Sequence, residues 1–123
     1  MNTILGVSPR KVVEPTSSTE AAEALRSFAA DKLAVVVVGG GTDLDLGKPP
    51  SRLDVVLRTQ GMARIIDHAP ADQIVVAESG ITLAELQRHL GAHGQRLALD
   101  PPLPDLGDQV VGVAVGTATV PTW

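Results

Sequence analysis

A chain of 123 residues with 44% hydrophobic and 20% charged residues has room for one globular domain, and that balance excludes a disordered polymer. The net charge is −4 and the ten Lys and Arg are scattered, which leaves no basic stripe for a nucleic-acid partner. Without a single cysteine there are no disulfides, thiolate metal sites or Cys nucleophile.

The first segment with a clear pattern runs from Pro15 to Lys32. Ser17 followed by Glu20 reads as a helix start, Ala22, Leu25, Phe28 and Ala29 form an apolar stripe, and the helix is expected to end near Asp31 and Lys32. Val35, Val36, Val37 and Val38 follow, a continuous β-branched run that predicts a strand buried on both faces. Leu53 to Thr59 is a second apolar strand, and a βαβ unit results if Lys11, Val12 and Val13 pair beside the valines. The segments from Ala63 to His68 and from Gln73 to Glu78 flank Ala69-Pro70-Ala71-Asp72, which predicts a β-hairpin. Thr82 and Glu85 make a capping box for a second helix, with Leu83, Leu86 and Leu90 on one face and a stop between Gly91 and Gly94. The expected fold is therefore α+β (mixed α/β), a small sheet with a βαβ unit, a β-hairpin and two packed helices.

Gly39, Gly40 and Gly41 end the valine strand, and consecutive glycines let a loop turn its backbone N–H groups inward to form an anion cup. Phosphate is the usual occupant of such a cup. A dinucleotide fingerprint would need glycine where Leu44 stands, and a Walker loop ending at Gly47-Lys48 would need glycine at Thr42 and a hydroxyl residue at Pro49. With Pro49 and Pro50 next, no helix starts cleanly here, so loop amides alone would hold the anion. The glycines by themselves also fit a strand exit that only turns the chain. Beyond Asp100, Pro101-Pro102-Leu103-Pro104 reads as rigid extended chain, and residues 109–123 carry no charge, a run that belongs under further protein or else becomes an aggregation-prone edge.

In their order, these segments resemble the N-terminal part of FAD-linked oxidases of the vanillyl-alcohol-oxidase type, the PCMH-type flavin domain. The likeness is greatest to the FAD-binding subunit of glycolate oxidase. It is carried by Gly39-Gly40-Gly41-Thr42-Asp43-Leu44-Asp45-Leu46-Gly47, Asp54-Val55-Val56-Leu57-Arg58-Thr59, Ile65-Ile66-Asp67-His68-Ala69-Pro70-Ala71-Asp72, Ala84-Glu85-Leu86-Gln87, and Gly94-Gln95-Arg96-Leu97-Ala98-Leu99-Asp100-Pro101-Pro102. The resemblance implies residues 1–104 as an N-terminal FAD-binding subdomain and 105–123 as the start of a truncated second one. It implies pyrophosphate contacts from Gly39, Gly40, Gly41, Thr42 and Asp43, with Gly112 in a second segment approaching from the other side. Because the loop has no His, flavin would be held non-covalently. Charge-assisted hydrogen bonds of roughly 1.5–3 kcal/mol each, less desolvation, make modest affinity the expectation.

The resemblance also has departures. Val111 and Val120 stand where the family's second segment has glycine, and a side chain there enters the cofactor's space. Two readings follow: the FAD-binding portion of an oxidoreductase for 2-hydroxy acids, inactive alone, or a truncated non-catalytic remnant that keeps the fold and binds no flavin. Other subunits of a glycolate-oxidase-like complex are the implied protein partners. The start of the sequence shows no basic region followed by a long apolar core and no later run approaches membrane-spanning length, so the cytoplasm is the default expectation. No residue is assigned a catalytic role. Glu85, His89 and His93 lie at i, i+4 and i+8, but without an H-E-x-x-H pattern they read as solvated helix surface and no metal ligand is assigned. His68 reads as a turn-edge residue, and Asp43 and Asp45 as turn-forming residues.

Overall fold

The computed structural model of the protein describes residues 3–41, 44–45 and 47–98. Thr42, Asp43, Gly112, the Pro-Pro segment and the subdomain boundary at 104 lie outside the described residues. The elements are strand β1 (Lys11–Val13), helix α1 (Ser18–Ala30), strands β2 (Val35–Val38), β3 (Val55–Arg58), β4 (Ile65–Ala69) and β5 (Ile74–Ala77), and helix α2 (Leu83–Gly91). A single 3-10 turn over Pro70–Asp72 joins β4 to β5.

Three strands form a parallel sheet in the order β1-β3-β2. The expected βαβ unit is present, but β3 inserts between its two strands, so Lys11, Val12 and Val13 pair with Val55, Val56 and Leu57 and not with the valine run. This order also corrects the reading of the valines. Among the described residues β2 is an edge strand with Val37 54% exposed, whereas the central β3 is the strand buried on both faces. Its alternation divides the core in two: Val55 and Leu57 pack with Phe28 of α1, while Val56 packs with Ile4, Val38 and Leu53 on the other face.

Ser17 caps α1 by accepting the Glu20 N–H at 3.1 Å, but the Glu20 carboxylate reaches past the cap to the Thr16 N–H and hydroxyl. The buried face of α1 is also rotated from the expected stripe. Phe28 is buried, with Ala24 half-buried beside it, whereas Ala22, Leu25 and Ala29 are exposed. Leu25 instead lines an apolar groove shared with Met62, Ile65 and Ile66 of the hairpin region.

In α2 the capping box is complete, with the Glu85 N–H donating to Thr82 Oγ1 and the Thr82 N–H to the Glu85 carboxylate. Leu86 and Leu90 are buried with Ala77, Ile81 and Leu97, and Ile65, Val75 and Leu83 pack against them, so α2 is seated on one face of the hairpin. Gln87 then ties down the chain beyond the helix. Its amide donates to the Leu97 carbonyl at 2.7 Å and accepts the Leu97 N–H at 2.9 Å, as a neighbouring strand would.

Candidate functional site

Parallel strands place their C-terminal ends at one edge of a sheet, the usual ligand edge of open α/β sheets. Here Val38 of β2 pairs with Arg58 of β3, so Gly39 and Thr59 leave the sheet side by side, and the Thr59 N–H donates to the Val38 carbonyl at 3.0 Å. Gly39 is buried, Gly40 half-buried and Gly41 exposed with φ +74°, a left-handed conformation that side chains with a Cβ rarely adopt. The structure thus brings Gly39, Gly40 and Gly41 to the C-terminal edge of the sheet.

Two further features of this edge were not read from the sequence. Thr59 Oγ1 is buried and has no hydrogen-bond partner among the described residues, an unusual state for a buried hydroxyl. Gly80 lies so close behind Thr59 that a Cβ there would overlap the Thr59 carbonyl oxygen and stand 2.6 Å from that of Met62. Hydrogen bonds lock the arrangement: Met62 N–H donates to the Thr59 carbonyl at 2.9 Å, and Gly80 N–H to the Met62 carbonyl at 2.8 Å. Glu78, buried, completes the support by accepting from the Arg64 N–H at 2.9 Å and from its guanidinium at 2.7 Å. Those bonds hold the Glu78 carboxyl below the usual range, the guanidinium bond most strongly, and raise the Arg64 value in return.

The opposite end of β3 carries a buried carboxylate with a different task. Asp54 Oδ2 accepts the Ala34 N–H at 2.8 Å and an Arg52 guanidinium N–H at 2.7 Å. The Ala34 amide is the larger reason its carboxyl lies below the ordinary range. This group positions β2 and does not face the glycine loop.

The histidines are placed differently from the sequence reading. Glu85 is engaged in the α2 cap, while His89 and His93 meet His68, which is half-buried against α2. A gap in hairpin register explains the encounter. Ile65 pairs with Ala77 and His68 with Val75, so Ile66 and Asp67 share one step of the ladder as a bulge. A strict alternation would put His68 on the face opposite Ile65; the extra residue turns it to the same face.

The flavin-domain resemblance is tested by comparison with known proteins. The family model described as "FAD binding domain" matches residues 9–121. D-lactate dehydrogenase of Archaeoglobus fulgidus is 29% identical over 106 residues, covering 86% of this chain and 23% of that protein. D-2-hydroxyglutarate–pyruvate transhydrogenase of Saccharomyces cerevisiae is 27% identical over 106 residues, covering 86% of this chain and 21% of that protein. Two crystal forms of alkyldihydroxyacetonephosphate synthase share the fold, with TM-scores of 0.72 and 0.76 at 20% identity, covering 83% and 91% of this chain and 21% of theirs. The chain thus spans between a fifth and a quarter of the length of these relatives. With the match extending over nearly the whole sequence, the chain belongs to the FAD binding domain family.

Proposed function

We propose that the loop of Gly39, Gly40, Gly41, Thr42 and Asp43 holds the pyrophosphate of FAD, with Gly112 contributing from the second segment. In this reading the protein is the FAD-binding portion of an oxidoreductase for a 2-hydroxy acid of the glycolate kind. The observation that carries it is the placement of the glycines at the C-terminal edge of the sheet, beside a buried Thr59 whose hydroxyl has no partner among the described residues. An anion-binding loop asks for backbone that can expose several N–H groups together, and the left-handed Gly41 supplies such a bend. The names of the two sequence relatives, a D-lactate dehydrogenase and a D-2-hydroxyglutarate transhydrogenase, support a 2-hydroxy acid as the substrate class. When bound, flavin would supply the hydride-accepting chemistry, and the residues here would fix its diphosphate and exclude water from it. The same reading puts the protein in the cytoplasm with further subunits of an oxidase complex.

The experiment is a titration of the folded chain with FAD, followed by flavin fluorescence and co-elution, with ADP and riboflavin as competitors. Pyrophosphate recognition predicts saturable FAD binding that ADP displaces and riboflavin does not. Gly40→Val is expected to abolish it with the far-UV circular dichroism unchanged. A folded chain that binds no FAD would instead identify the non-catalytic remnant.

A further inference from the structure

His68, His89 and His93 come from two separate parts of the chain, a hairpin strand and the end of a helix, and their nearest ring nitrogens all lie within 4.8 Å of one another. The ring centroids are 4.9 Å apart for His68 and His89, 4.7 Å for His68 and His93, and 5.7 Å for His89 and His93. Three imidazoles converging in this way offer three nitrogen donors to one point. From this geometry we infer that His68, His89 and His93 form a binding site for a divalent transition metal of borderline softness, with Zn²⁺ as the ion that suits it best.

Hydrogen bonding around His68 settles its tautomer. The Pro70 carbonyl can only accept, so the Gln95 group 2.7 Å from it is the NH₂, and Gln95 Oε1 is the atom 3.0 Å from His68 Nε2. His68 therefore carries its proton on Nε2 and donates it to Gln95. Its Nδ1 lone pair then faces inward, 3.0 Å from His89 Nε2, which donates to it in the metal-free state. An imidazole whose outer N–H is held by a carbonyl oxygen while its inner nitrogen stays free is the arrangement of a metal-ligating histidine.

Little movement separates this arrangement from a coordinated one. Zn–N bonds of about 2.0–2.1 Å in a tetrahedron require nitrogens about 3.3 Å apart. The His68–His89 pair at 3.0 Å opens slightly, and the other separations close from at most 4.8 Å, within reach of side-chain torsions because His93 is exposed. On coordination through Nε2, the His89 proton moves to Nδ1 of the same ring, and the metal replaces the inter-histidine hydrogen bond without a change of charge on the protein. A cavity of about 190 Å³ lined by His68, Leu90, Gly94 and Gln95 borders the cluster and leaves room for water as a fourth ligand. The site is independent of the flavin loop, and the metal would join hairpin to helix.

The test uses the 123-residue chain freed of any polyhistidine tag, titrated with ZnCl₂ by calorimetry and with CoCl₂ by visible absorption. One Zn²⁺ per chain and the d–d bands of four-coordinate Co²⁺ are expected. His68→Ala and the exposed His93→Ala should each weaken Zn²⁺ binding at least tenfold. Gln95→Leu, which removes the outer hydrogen bond to His68 together with the Gln95 bond to the Pro70 carbonyl, should weaken it about 10–100-fold. Glu85→Gln should leave it unchanged. Because His93 is exposed, its substitution keeps the test valid should His68→Ala fail to fold. Absence of Zn²⁺ binding by the folded wild-type chain, or wild-type affinity in His93→Ala, would overturn the proposal.

Discussion

Asp54 Oδ2 accepts the Ala34 backbone N–H at 2.8 Å, so the residue that precedes the central strand fixes the start of the valine strand leading into the glycine loop. The Arg52 guanidinium shares the same oxygen at 2.7 Å. The two strands that lead to the glycine loop and to Thr59 are thereby held in register from their far ends as well as along the ladder.

This bond makes stability dependent on acid. Asp54 and Glu78 both have their folded-state values lowered, so the unfolded chain binds more protons than the folded one at acid pH. Their contribution is complete above the unfolded values of about 4 and is lost as pH falls from there through the lowered native values. Urea midpoints measured across acid pH should decline in that window for the wild type. Asp54→Asn should be less stable at neutral pH and decline less steeply. An identical slope in the variant would remove Asp54 from the account.

Gly80→Ala should be among the most disruptive small substitutions in the chain. The new methyl overlaps the Thr59 carbonyl, and neither backbone can retreat without breaking the Met62 and Gly80 hydrogen bonds. A loss of about 3 kcal/mol, at the upper end for overpacking, is expected from chemical denaturation.

Leu86→Ala and Leu25→Ala separate core from surface. Leu86 is 2% exposed in the hairpin–helix core and its truncation should cost about 2–5 kcal/mol. Leu25, 42% exposed, should cost under about 1 kcal/mol. Equal losses in thermal or chemical unfolding would contradict the rotated burial of α1.

Most elements were legible because their signals are local. Ser17, Thr82 and Glu85 announce helix starts by side chains that bond a few residues away, and the Pro70–Asp72 turn announces the hairpin. Strand order was not legible: nothing in Val35–Val38 tells an edge from a centre, since that depends on Leu57 pairing with Val13 on one side and Val37 on the other. The orientation of α1 was missed because alanines contribute little to a stripe, and Ala24 beside Phe28 looks no more buried than Ala22. His68 reads as a turn-edge residue from its place beside Ala69-Pro70, and the bulge at Ile66 and Asp67 that turns it toward α2 has no signal in the sequence. The three glycines ending the valine strand are visible in the sequence itself, whereas Thr59 and Gly80 join that edge only through tertiary contact.

The measurement that reaches the flavin-loop claim most directly is the ¹H–¹⁵N spectrum of the labelled chain during addition of FAD, ADP and riboflavin. If backbone amides hold the diphosphate, the Gly39, Gly40 and Gly41 resonances shift with FAD and with ADP, and stay in place with riboflavin. Binding of FAD that leaves all three glycine amides unmoved would contradict it.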